Sequence, residues 1–303
     1  MKILVIGGSY FLGKAFTDLA VKEQELYILN RGSQPLNNPT IREYHMDRHD
    51  GDAIASIEES HFDVIVDFCA YEKGDIRFLM EHLRASFDQY LFVSTCDVYR
   101  RGTMRVMMED DELEERDFGG EAGAYISGKV ALERELRECC QEKGAAYTSI
   151  RPAFIYGSGN YAPREGIYFK WITAAGQIIH PTDADGEFQM VYVRDVAKAI
   201  FAACGNPLAH DRSYNLCNPE KMTYDSFAEL LRVVTGTSFE RVLVTVQDVN
   251  VQGLPLPFPL TKEESNWYDG GRVAELGVTY TPIEEGMRAT FRDYLQKISE
   301  TDS

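Results

Sequence analysis

The chain has 303 residues, enough for one large domain or two joined ones with a substantial core. Its 31 basic and 48 acidic residues leave a net charge of −17, a field that repels phosphate backbones and anionic lipid surfaces and so argues against nucleic acid as a partner. No run reaches the roughly 18 apolar residues of a membrane span, and the opening residues read as a core strand and not as a cleavable leader, so a cytoplasmic protein with no membrane partner is expected.

Lys2 to Ile6 is a short apolar run, the pattern of a strand covered on both faces. It leads straight into Gly7, Gly8 and Gly13, after which Leu12, Ala15, Phe16 and Leu19 repeat at helical spacing. Strand, glycine turn and helix together aim backbone N–H groups and a helix N-terminus at a phosphate. Gly7, Gly8, Ser9, Tyr10, Phe11, Leu12 and Gly13 are therefore the candidate pyrophosphate cradle. Gly7 suits the tight turn and Gly13 the close packing of helix on strand.

Leu26 to Leu29 reads as a second strand, ending in Asn30-Arg31-Gly32. In a nucleotide-binding βαβ unit the residue past this strand meets the adenosine ribose. An acidic one selects the free 2′-hydroxyl, whereas Arg31 can pair with a 2′-phosphate, which favours NADP over NAD; the alternative is an ordinary turn arginine. Ile41 to His45 is a weaker strand, and Asp47 after it either accepts a hydrogen bond from an adenine amino group or caps a turn. Asp63 to Phe68 and Tyr90 to Val93 are two more buried strands, separated by a helical stripe of Ile76, Leu79, Met80 and Leu83 that is most simply core. Strands alternating with helices at this spacing predict an α/β fold with a doubly wound parallel sheet.

Residues 100 to 124 interrupt the pattern. Seven of the nine positions from Glu109 to Asp117 are acidic, which reads as a solvated surface loop or as a mobile lid over the site. A helix from about Ala124 to Lys143 and a strand from Tyr147 to Ile150 restore it, closing on Arg151-Pro152. Beyond, helices are expected near 167–175, 195–204, 224–234 and 284–298, with short strands near 188–191 and 213–216. Gly253 to Pro259 reads as a rigid loop between structured segments. The six cysteines form no Cys-x-x-Cys pair and have no histidines at ligand spacing, so packing thiols are expected and no metal site.

The chemistry centres on Tyr125 and Lys129, four residues apart and thus one turn apart on one helix face. A phenol works as acid or base near neutrality only if its pKa is drawn down from about 10, and a neighbouring ammonium and a cationic nicotinamide both draw it down. Tyr10 and Lys14 match the same spacing but lie in the phosphate turn. Context favours Tyr125, because its helix follows the strand ending in Ser94-Thr95, whose hydroxyls could bond a reacting oxygen; the plain alternative is a partly buried tyrosine and a solvated lysine.

These stretches bring a family into view. Gly7-Gly-Ser-Tyr-Phe-Leu-Gly13, Val93-Ser-Thr-Cys-Asp-Val-Tyr99, Tyr125-Ile-Ser-Gly-Lys129, Arg151-Pro-Ala-Phe-Ile-Tyr-Gly157, Val191-Tyr-Val-Arg-Asp-Val-Ala197 and Glu284-Glu-Gly-Met287 occur in an order that resembles the extended and atypical short-chain dehydrogenase/reductases, the NAD-dependent epimerase/dehydratase group. The resemblance implies a Rossmann domain from residues 1 to about 160, completed by about 190–220, and a smaller C-terminal α/β substrate domain from 161–189 and 221–303. It implies NADP or NAD as cofactor, Thr95 in the hydroxyl role, Tyr125 as acid/base, Lys129 on the nicotinamide ribose, and Ala153, Phe154 and Ile155 along the nicotinamide. It further implies a small-molecule substrate, a nucleotide sugar being one candidate, and a homodimer through the helices of residues 75–85 and 124–143. A non-catalytic NAD(P) sensor or an RNA-associated protein is the rival class.

Three departures qualify the resemblance. Tyr10 stands where the family has a third glycine, which would crowd the pyrophosphate; in this the chain is similar to the plastid stem-loop RNA-binding branch. Cys96 and Asp97 replace the Asp-Glu pair of sugar-nucleotide dehydratases, so water loss is disfavoured. Phe188 replaces a diphosphate-clamping arginine, leaving Arg164, Lys170 and Arg194 as cationic candidates.

Overall fold

The computed structural model describes residues 1–102 and 105–301. Seven strands make the main sheet: β1 (Lys2–Ile6), β2 (Glu25–Asn30), β3 (Arg42–His45), β4 (His61–Asp67), β5 (Ser86–Val93), β6 (Ala146–Pro152) and β7 (Arg212–Leu216). All pair in parallel, in the order β7-β6-β5-β4-β1-β2-β3. The helices are α1 (Phe11–Ala20), α2 (Gly51–Ala55), α3 (Asp75–His82), α4 (Gly120–Lys143), α5 (Glu165–Ala175), α6 (Val193–Ala203), α7 (Tyr224–Thr235), α8 (Val246–Gln252) and α9 (Ile283–Thr301). The strand order reverses at β1, whose Ile6 pairs with Leu29 on one side and Asp67 on the other. In an open α/β sheet the crevice beyond the strand ends at such a point receives the ligand.

Period-two alternation in β1 shows why the sheet is covered twice. Ile3 and Val5 join one core with residues of α1 and α6, while Leu4 and Ile6 join a second with α3 and α4. A fully buried side chain of this size is worth about 1.5–3 kcal/mol, so a strand of four such residues anchors the sheet centre. The first core continues without a break into Phe169, Phe227 and Met287 of α5, α7 and α9, elements expected in the substrate domain. The stripe Ile76, Leu79, Met80 and Leu83 is buried. The exposed positions of residues 75–85 and 124–143 carry no large apolar side chain besides Tyr125, so the face suggested for a homodimer is polar, with α3 and α4 joined by Arg77 and Glu142.

Two expectations about this frame need correction. The acidic stretch is neither a simple solvated loop nor a free lid, although residues 103 and 104 within 100–124 lie outside the described residues. Val106–Met107 pairs in parallel with Trp267–Tyr268, and Glu109 and Glu114 are buried. Glu114 is held down to about 2 chiefly by the Arg116 side chain, with the backbone N–H groups of Arg101 and Arg116 adding to the effect. Second, α4 begins at Gly120, after two left-handed glycines at 119 and 120, so Tyr125 sits in its second turn and does not open it. A parallel pair that the sequence did not reveal joins Gln177–Pro181 to Glu240–Val244.

Candidate active site

The phosphate turn forms as its glycines require. Gly7 has φ +101°, and a Cβ there would run into the Cys69 sulfur; a Cβ on Gly13 would lie 2.9 Å from the Gly8 Cα. Tyr10 has an extended backbone, and its exposed ring stacks on Tyr161 at the wall of the cleft, centroids 5.7 Å apart. Backbone strain in the turn falls on Phe11, at φ +40°. The α1 N-terminus has no side-chain cap and no acidic residue in its first turn, leaving its partial positive charge open to an anion.

From this turn a cleft of about 1050 Å³ runs between the sheet and the C-terminal elements. Its walls include Gly7, Tyr10, Phe11, Leu12, Gly13, Arg31, Ser94, Thr95, Tyr125, Lys129, Ala153, Phe154 and Ile155, so candidates spread over 150 residues of sequence meet in one place. Gly8 and Ser9 are not on the cleft wall: Gly8 is buried, with no room for a Cβ against Thr17 and Val5, and the amide of the half-buried Ser9 closes the turn on the Gly7 carbonyl. Arg31 is exposed on the wall past β2 and forms no ion pair among the described residues. Asp47 is not on the wall; its carboxylate takes the His49 amide at 2.9 Å, the turn-capping alternative.

Lys129 is 2 % exposed, and its ammonium donates to the carbonyls of Ala70 (2.8 Å) and Val93 (3.0 Å), just past β4 and at the end of β5. It also lies 4.6 Å from the Tyr71 ring centre and 6.0 Å from that of Tyr125. Burial pulls its pKa down to about 8. Burial pushes the Tyr125 phenol the other way, up to about 12, with the Asp97 charge adding and a hydrogen bond from Thr95 opposing. Without a ligand, then, the phenol holds its proton more firmly than a free tyrosine, and a bound positive charge is needed to loosen it. The Thr95 hydroxyl accepts from the Asp97 amide at 3.2 Å, while Asp97 pairs with Arg101 at 2.8 Å. Ser94 is buried, its hydroxyl against the Glu133 carboxylate without a well-formed hydrogen bond.

Glu133 was missed by sequence reasoning, yet it continues the four-residue spacing of Tyr125 and Lys129. It is fully buried in a two-point ion pair with the fully buried Arg151, at 2.8 and 2.5 Å, and Arg151 also reaches the Tyr99 hydroxyl at 2.6 Å. This pair locks α4, the helix that carries Tyr125, to the end of β6. A second missed network sets the end of β4: Arg48 donates to both oxygens of Asp67 at 3.1 Å, and the Tyr90 hydroxyl donates to Asp67 at 2.7 Å. Among the described residues, His61, Asp63 and Asp88 gather metal-ligand types within 4.8 Å, but at the opposite end of the strands from the cleft.

The model of the NAD dependent epimerase/dehydratase family matches residues 73–217. Among curated proteins, the chain is 28% identical over 244 residues to a chloroplast stem-loop binding protein of 41 kDa from Arabidopsis thaliana, covering 75% of this chain and 61% of that one. It is 28% identical over 107 residues to agroclavine dehydrogenase from Claviceps fusiformis, covering 35% and 36% respectively, so these matches span under two thirds of either relative's length. Among solved structures, the UDP-glucose 4-epimerase of Thermotoga maritima with UDP-glucose superimposes with a TM-score of 0.79 at 20% identity, covering 98% of this chain and 100% of that one. The UDP-glucuronic acid 4-epimerase of Bacillus cereus with UDP-glucuronic acid and NAD gives 0.77 at 14%, covering 98% and 100%. The family model thus accounts for residues 73–217, and the chain shares the fold of these epimerases over nearly its whole length.

Proposed function

We propose that this chain is an NAD(P)-dependent oxidoreductase or epimerase that moves a hydride at a carbinol carbon, with Tyr125 as its acid/base. The observation that carries the reading is the meeting, in one cleft, of an uncapped helix N-terminus behind a glycine turn and the Tyr125, Lys129 and Thr95 side chains. The residues fit a dinucleotide: Gly7 and Gly13 let the turn pack tightly on Cys69 and on Gly8 below an uncapped helix N-terminus, and Arg31 stands free past β2 for a 2′-phosphate, which favours NADP over NAD. When bound, the nicotinamide would supply the hydride acceptor and donor.

The chain's own groups do the rest. Tyr125 would take the substrate hydroxyl proton, Thr95 would orient that oxygen, and Lys129, held by two carbonyls with one N–H to spare, would hold the ribose and keep positive charge near the phenol. Water loss is disfavoured on chemical grounds: the Cys96 thiol is fully buried, donates to the Arg151 carbonyl at 2.9 Å, and has its pKa pushed up by that burial. Native mass spectrometry of the purified chain, followed by calorimetric titration with NAD and NADP, tests the reading. A dinucleotide bound one to one supports it; the lack of micromolar affinity for either refutes it.

A second reading rests on the plant relative, whose name makes it a stem-loop binder. The charge of −17 argues against it, and filter binding of a stem-loop RNA decides, since a phosphate-driven contact must weaken steeply between about 50 and 200 mM salt.

A further inference from the structure

The substrate end of the cleft is short of positive charge and rich in rings. Of the cations on its walls, Arg31 stands at the adenosine end, Lys129 is bound to two backbone carbonyls, and Arg101 is paired with Asp97 at 2.8 Å. Lys170 and Arg194, offered by the sequence, do not line the cleft. Arg164 remains. It forms no ion pair among the described residues, its one hydrogen bond there runs from Nη1 to the Ile155 carbonyl at 3.1 Å, and its guanidinium lies 5.1 Å from the Phe154 ring centre. It is also near enough to Tyr125 for its charge to act on the phenol.

Around Arg164 the wall is aromatic and aliphatic. Phe188 stacks on Phe258 with centroids 3.9 Å apart and planes 5° from parallel, and Phe154 meets both edge-on at 6.4 and 5.6 Å, with Leu256 beside them. Phe258 arrives on the Pro-rich loop, and Phe188, where a diphosphate clamp would stand, is 1 % exposed and committed to this stack. A diphosphate carries about two negative charges, and one guanidinium, in a cleft whose walls also carry Asp97, Glu187 and Glu264, is a poor match for it. Space points the same way: a pocket of about 300–1,000 Å³ suffices for one drug-sized ligand, so a cleft of about 1050 Å³ that also takes a dinucleotide has little left for a second nucleotide.

We propose that the substrate is a small molecule with a single carboxylate on a flat apolar body, the carboxylate bound by Arg164 and the body lying against the half-buried Phe154 and Leu256, behind which the buried Phe188 and Phe258 are stacked. This deepens the hydride-transfer reading, on which it rests for the reacting hydroxyl. The test is calorimetric titration of the full chain, with and without saturating dinucleotide, using 3-phenyllactate, 3-indolyllactate, the amides of these two acids, and UDP-glucose.

The acids should bind at least about tenfold more tightly than their amides, and Arg164→Gln should erase that preference, a loss of about tenfold to a hundredfold, while Arg164→Lys keeps most of it. Melting temperatures of both variants separate lost binding from lost folding. Equal affinity for acid and amide, no binding by any of the anions at millimolar concentration, or UDP-glucose binding more tightly than all of them regardless of Arg164→Gln, overturns the proposal. Failure of the dinucleotide reading would appear separately, in the NAD and NADP titrations, because the anion preference is also measured on the ligand-free chain.

Discussion

Replacing Lys129 by methionine should change how stability depends on pH. The side chain is 2 % exposed, and burial lets its ammonium keep its proton only to about pH 8 instead of the usual 10.5. At about 1.4 kcal/mol per pH unit, holding the charge costs the folded chain about 3 kcal/mol below pH 8. Because the folded pKa lies below the unfolded one, the unfolded chain binds more protons between pH 8 and 10.5, and stability rises with pH across that window. Buried thiols act in the opposite sense, and Cys69, raised to about 11 chiefly by burial, also feels the Lys129 charge, so parent and variant are both compared with Cys69→Ala in place. Urea unfolding of both proteins at pH 7 and pH 10 therefore isolates the lysine. The stability of the parent relative to Lys129→Met should grow by about 2–3 kcal/mol between the two pH values. A difference that stays flat would show that the ammonium is not desolvated, and the case for a charge held in reserve beside Tyr125 would go with it.

Three further outcomes follow from the geometry. Gly7→Ala forces a side chain onto a φ of +101° and into the Cys69 sulfur; it should cost about 1–3 kcal/mol in urea unfolding and weaken dinucleotide binding, and unchanged affinity would count against the cradle. Glu133→Gln leaves the fully buried Arg151 without its ion partner and should cost about 3–5 kcal/mol, read as a drop in melting temperature; a loss below about 1 kcal/mol would mean the pair does not anchor α4. Arg31→Asp should lower the affinity for NADP relative to NAD by at least about tenfold, and an unchanged ratio would remove Arg31 from the 2′-phosphate site.

The centre of the fold was legible because β1, β2, β4 and β5 are covered on both faces and therefore run continuously apolar. Glu240–Val244 was not, since Val242 and Leu243 are exposed and no alternation survives. In the acidic stretch the composition is sound but the environment is tertiary: Glu109 is buried where Arg272, 163 residues on, comes within 3.4 Å, and no local pattern announces such a partner. At the site, Tyr125 and Lys129 could be found by spacing, and the same spacing would have reached Glu133. Arg48 and Asp67 could not, because their pairing depends on where β4 ends relative to the chain after β3. Tyr10 illustrates a different limit: its residue type does not reveal that its ring stacks on Tyr161 at the cleft wall or that the left-handed backbone of the turn falls to Phe11.

The most direct test of the central claim is Tyr125→Phe, assayed for turnover of the first hydroxy acid or carbonyl compound found to change the absorbance of NAD(P)H, with dinucleotide affinity measured on the same preparation. Loss of one positioned acid/base predicts turnover lower by at least about a hundredfold with affinity unchanged. Turnover that survives at the parent's level, with the dinucleotide still bound, would contradict the account.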